Sequence, residues 1–174
     1  MDTRLLALIK EWRLDYSFGE IGPLMNFKNI GLNHIWDSLR TSGEFRQMVM
    51  MVTHGNYRYA YPLLDGTNAK DVLTSFAVMA QSENAYRCLF FLEAEFQRAA
   101  DESEEYRTCI LVIQFHLRPE PTWAEATCAE YQLLGTELEI GEEYDKDTKD
   151  DPVVAGFWKA YQDPNWSMLR MEWE

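Results

Sequence analysis

The stretch SENAYRCLFFLEAEF, from Ser82 to Phe96, is the densest packet of apolar side chains in the chain and the feature that most constrains its fold. Such a packet has to be buried, because each Phe or Leu left in water forfeits about 1.5–3 kcal/mol. Ser82 is a favourable helix cap and Glu83 follows in the first turn, where a carboxylate suits the helix dipole. Cys88, Leu89, Phe91, Leu92 and Phe96 then supply an apolar face. The stretch reads as a central core helix.

The neighbouring segments read in the same way. Asn68 caps a helix with Val72, Leu73, Phe76 and Ala80 inward and Asp71 in its first turn. Residues 104–117 place Tyr106, Cys109, Ile110, Ile113 and Leu117 at helical spacing, although the β-branched run CILVI also suits a buried strand. Thr122 and Glu125 form a capping-box pair for a helix that runs to Leu134 and stops at Gly135. TELEIGEEYDKDTKDD reads as an acidic connection, with eight carboxylates against two lysines. Asp151-Pro152 starts a further helix, and Asp163-Pro164 ends it.

Towards the N-terminus, Asp2 or Thr3 caps a helix bearing Leu5, Leu6, Ile9 and Trp12. YSFGEIGPLMNFKNIG is a loop by its Gly and Pro content. Asn33 caps a short helix through Leu39 and Arg40, and EFRQMVMMV forms another with Phe45, Met48, Val49 and Val52 on one face. MVMMVTHGNYRYAYPL can alternatively form a β-hairpin around Gly55-Asn56. These signals sum to an all-α fold, a compact bundle of about eight or nine helices. Residues 1–56 would be an N-terminal helical extension and 57–174 the bundle, together one compact unit.

A chain of 174 residues suits one domain and buries roughly 70 % of its unfolded surface, so it needs no disulfide or metal to hold together. Its formal net charge of −13 weighs against direct binding to nucleic acid or to an anionic membrane, and fits a basic protein partner. Cys88, Cys109 and Cys128 lack a C-x-x-C spacing and read as small buried hydrophobes of a reducing compartment. Lys10, Glu11 and Arg13 interrupt the first apolar run, which excludes a signal peptide, and the expected location is the cytoplasm.

Catalytic signatures are missing: there is no G-x-G-x-x-G, P-loop, G-x-S-x-G or H-E-x-x-H. His34, His54 and His116 lack ligand-like spacing. DKDTKDD fails as a calcium loop, since Asp150 stands where the glycine belongs and Gly156 where the glutamate belongs. The acid pairs Glu93 with Glu95, and Glu142 with Glu143, read as surface charge, because acid–base work needs one carboxyl buried. No enzyme activity, metal or cofactor is expected.

LFFLEAEF resembles a helix of RGS domains (regulators of G-protein signalling), whose pattern is roughly S-E-E-N followed by an F-W-L-x-x-E block. Ser82-Glu83-Asn84 matches the first part and Phe90-Phe91-Leu92-Glu93-Ala94-Glu95 the second. A second family pattern, an Asp followed six residues later by L-[RK]-S-E, is echoed by Asp163 and Leu169-Arg170-Met171-Glu172. The resemblance covers about residues 57–174. It implies an all-α module without a cofactor that binds the switch loops of a G protein, with Glu83, Asn84 and Asp163 as contacts. The two parts of the first block stand about two residues further apart than in the family. Ser167 replaces the family's switch-contacting arginine, and PEPTWAEAT supplies no matching asparagine.

Charge supports an alternative. Small acidic, aromatic-rich proteins serve as inhibitors of the toxin-immunity or phage anti-defence type, steering onto and occluding a basic nucleic-acid-binding site. Glu142, Glu143, Tyr144, Asp145 and Asp147 are the first surface for that role. A third reading is a subunit of a larger assembly, docked through Trp166 and Trp173.

Overall fold

The computed structural model describes residues 26–53, 58–63, 69–96 and 107–163. Helix α1 (Phe27–Ser42) leads into strands β1 (Met48–Val52) and β2 (Arg58–Pro62), then helix α2 (Ala69–Ser82). Four strands follow: β3 (Arg87–Phe96), β4 (Arg107–His116), β5 (Trp123–Leu134) and β6 (Glu137–Lys146). Helix α3 (Pro152–Tyr161) closes the described chain. All pairings are antiparallel, in the order β2-β1-β3-β4-β5-β6.

The all-α bundle of eight or nine helices is therefore overturned: the described residues hold three helices and six strands, a mixed α/β fold. Four expected helices are strands, EFRQMVMMV among them as β1. Ser82 is the last residue of α2, not the cap of a new helix, and Arg87–Phe96 is β3. Residues 107–116 take the strand alternative as β4, and the segment headed by the Thr122–Glu125 pair is β5. Met48–Val52 and Arg58–Pro62 pair as the hairpin that was the alternative for that segment. A division between residues 56 and 57 would cut this hairpin, and β1 also pairs with β3.

The physical reason lies in how the sheet is covered. Helices α2 and α3 pack on one face, where Phe76 and Phe157 meet Phe90 edge-on with ring centroids 6.1 and 6.0 Å away. Phe115 stacks on Phe157 at 3.8 Å. Helix α1 covers the other face, laying Leu32, Ile35, Trp36 and Leu39 over Met50, Leu89, Phe91 and Val112. A strand buried on both faces reads as a continuous apolar run without alternation, and in a short window that pattern also satisfies a helix face. Residues 88–91 are all buried, which is why this run imitated a helix.

Where polar caps decide the ends, the helices match the sequence more closely. Asp151 accepts from the amides of Val153 and Val154, with Pro152 at the first helical position. Helix α2 carries Leu73, Phe76 and Ala80 inward as expected. Helix α1 starts earlier than expected: Asn26 is its cap, and Asn33 is an exposed residue inside it. Gly43, in the left-handed region at φ 70°, closes α1 by donating its amide to the Leu39 carbonyl. Gly31 sets how closely α1 seats on the sheet, since a Cβ there would lie 2.1 Å from Cζ of Phe91. The expected N-terminal helix, Ser167, the Leu169–Glu172 block and Trp166 and Trp173 lie outside the described residues.

Candidate protein-interaction surface

Among the strands whose side chains are described, β6 is the most exposed. Strands β5 and β6 form a ribbon joined by a tight turn at Gly135, which takes φ 63°. Pairing runs from Ala126↔Lys146 to Ala129↔Glu143, slips by a bulge, and resumes from Tyr131↔Ile140 to Leu134↔Glu137. Gly141 sits at the bulge because a Cβ there would press on the Glu130 side chain at 3.1 Å and its carbonyl at 3.3 Å. A bulge of this kind raises the local twist and re-aims the strand.

Strand β6 is a sheet edge, and every position on it is exposed except the half-buried Leu138 and Tyr144. Period-two alternation assigns its side chains to two faces. Leu138, Ile140, Glu143 and Asp145 lie on the α1 side, whereas Glu137, Glu139, Glu142 and Tyr144 lie on the side of α2 and α3. The strand thus presents five carboxylates, with Lys146 as its single cation. Lys146 Nζ is 3.3 Å from Asp151, and Lys28 on α1 reaches Glu143 at 2.7 Å. The Tyr144 hydroxyl donates to Glu142. Apolar groups interrupt the charge, because Ile140 is 47 % and Leu134 52 % exposed.

The acidic residues singled out from the sequence are therefore brought together. Glu142, Glu143, Tyr144 and Asp145 lie on one strand, not in a loop, and Asp147 follows it, accepting from the Lys149 amide at 2.9 Å. Sequence reasoning missed Glu137, Glu139 and Ile140. The signal was present in TELEIG, whose strict polar–apolar alternation is a strand pattern.

Glu83 and Asn84 occupy the end of α2, not the start of a helix. Asn84 takes φ 53° and donates its amide to Gln81, while Ala85 donates to Ala80, a Schellman closure with asparagine in the usual glycine position. Asp163 follows the end of α3, and Gln81 Nε2 donates to the Tyr161 carbonyl, so these two helix ends lie side by side. Asn84 is further engaged by Arg118 Nη2 at 2.9 Å. These three residues are thus part of the machinery that terminates helices.

A second cluster sits at the far end of β5. Trp123 stacks flat on His116 at 3.8 Å and is 49 % exposed. Arg87, in register with His116, donates to the carbonyls of Tyr86 and Arg118 and so ties β3 to the loop carrying the cis bonds before Pro119 and Pro121. Burial and the neighbouring Arg87 charge lower the His116 pKa to about 4, so the ring is neutral near pH 7. Its 3.5 Å approach to Glu125 is accordingly not a charged pair there.

Cys109 and Cys128 line the α2–α3 side of β4 and β5. A hydrogen bond between the two thiols raises Cys109 and lowers Cys128, and Cys88 is raised by burial alone. All three are free. Among the described residues no group of three His, Cys, Asp or Glu side chains is arranged to hold a metal, and no helix is long and apolar enough to cross a membrane.

No family model, curated protein or solved structure matches the chain. The helix expected over residues 82–96 is a helix end followed by a strand.

Proposed function

We propose that this protein is a non-catalytic acidic interaction module that binds a basic partner protein through the β5–β6 ribbon and occludes the partner's basic surface. The observation that carries this reading is the exposed edge strand β6, with five carboxylates around an exposed Ile140. Carboxylates steer a cationic partner and raise its association rate, and apolar groups among them slow its release. A nucleic-acid-binding site on the partner is a natural target, since it already selects for anions. The three buried free thiols fit a reducing compartment, and the reading places the protein in the cytoplasm.

The test is affinity capture from the native source, comparing the natural chain with a variant carrying Glu137→Lys, Glu139→Lys and Asp145→Lys. A basic protein should be retained by the natural chain and lost by the variant. Its affinity should fall at least about tenfold as salt rises from about 0.05 to 0.5 M, because screening shortens the reach of exposed charges. Salt-insensitive capture, or equal capture by both chains, overturns the proposal.

A further inference from the structure

Resting on that reading, we infer that β6 recognises its partner by strand addition: an extended basic segment of the partner pairs with the outer edge of β6 as a seventh strand. Strand β6 is the last strand of the sheet, and among the described residues no strand lies outside it. A sheet edge offers a row of amide and carbonyl groups at the spacing of a strand, and natural proteins usually blunt such an edge with lysine, proline or a short strand. This edge has no proline and carries lysine only at its last position, and its bulge at Gly141 and Glu142 divides it into two pairing stretches, 137–140 and 143–146. Carboxylates leave it open to a partner of opposite charge.

The face assignment specifies the chemistry of that partner. A side chain on an added strand lies beside the β6 residue of the same face. Towards α2 and α3, the added segment meets Glu137, Glu139 and Glu142, so lysine or arginine belongs there, whereas Tyr144 and Lys146 at the other end of that face call for an uncharged or acidic residue. Towards α1, it meets Leu138 and Ile140 at one end and Glu143 and Asp145 at the other. The fitting segment is therefore basic on one face except beside Tyr144 and Lys146, apolar at one end of the other face and basic at its opposite end. A second copy of this chain is a poor occupant, because pairing two β6 edges sets one row of carboxylates against another, and like charges directly opposite destabilise a sheet.

The experiment uses the full chain and two synthetic probes of about ten residues, the length of a long strand. The first alternates lysine with valine. The second kind has the same sequence with every backbone nitrogen methylated, made in lysine-first and valine-first versions, which keeps the charge and removes the pairing N–H groups whichever edge of the probe faces β6. The first probe should bind and should slow amide exchange within β6. The methylated probes should bind at least about tenfold more weakly, equivalent to about 1.4 kcal/mol. Equal, salt-sensitive binding of both kinds of probe overturns strand addition but leaves the acidic-module reading intact. The same holds if neither probe binds while a basic protein is still captured. If neither the probes nor any basic protein binds, both readings fall. A dimer in sedimentation that Glu139→Pro dissociates would assign the edge to a second copy and overturn the inference.

Discussion

Strands β3 and β6 have the same length and lie in the same sheet, yet their side chains live in different solvents. Residues 88–91 of β3 are buried on both faces, between α1 on one side and α2 with α3 on the other. Among the described residues, strand β6 has a neighbour on one edge only and little cover on either face. A backbone ladder alone does not determine what a strand is for. The covered strand holds the molecule together through apolar contact, whereas the bare strand holds charge where a partner can reach it.

That contrast can be broken most directly at Phe90, which is 1 % exposed and touches the rings of Phe76, Phe115 and Phe157. Phe90→Ala should cost about 3–5 kcal/mol in chemical denaturation. A loss below about 1 kcal/mol would show that the aromatic cluster is not the core of the fold.

The next effect is acid sensitivity where β4 ends and β5 begins, at the His116–Trp123 pair. The His116 pKa is about 4 in the fold against an ordinary 6.5, so the unfolded chain binds more protons between those values. Stability from this group is fully present above about pH 6.5, falls as the pH drops towards 4, and loses about 1–2 kcal/mol, since solvent screens a partly buried ring. Thermal melts across that range should show the loss, and His116→Gln should remove it. Since Trp123 lies on the ring, its fluorescence should report the same titration.

Gly31→Ala tests the cover itself, because the added methyl meets the buried ring of Phe91. Helix α1 should lift and stability should fall by about 1–3 kcal/mol. At the end of α2, Asn84→Ala should cost about 1 kcal/mol for its left-handed backbone, and Asn84→Gly should be neutral or better. Smallest of all is Glu139→Lys on the bare strand. Its effect on stability should stay within about 0.5 kcal/mol, while the basic partner is lost. A large loss of stability there would show that β6 is structural and would erase the contrast.

How legible each part was follows from the same physics. The Asp151-Pro152 start of α3 was readable because capping is local, set by a side-chain oxygen and amides two and three residues on. The run CLFFL in β3 was misread because burial on two faces removes the alternation that marks a strand. In β5, Thr122 and Glu125 imitate a capping box, but pairing with β4 and β6 overrides the helix preference of the Ala, Glu and Leu residues there. The acidic surface was half legible: its charges were visible, but its form as an edge strand was not.

The sequence by itself determined which residues must be buried, how α3 begins, and that the chain carries a large negative charge. All three depend on composition or on neighbours within a few residues. Only the tertiary structure decided that the apolar runs are strands, that Glu83 and Asn84 end a helix, and that the carboxylates of β6 share one exposed edge. Those outcomes depend on partners far along the chain, such as Cys88 beside Phe115 and Glu143 beside Lys28. A local pattern carries no record of such partners.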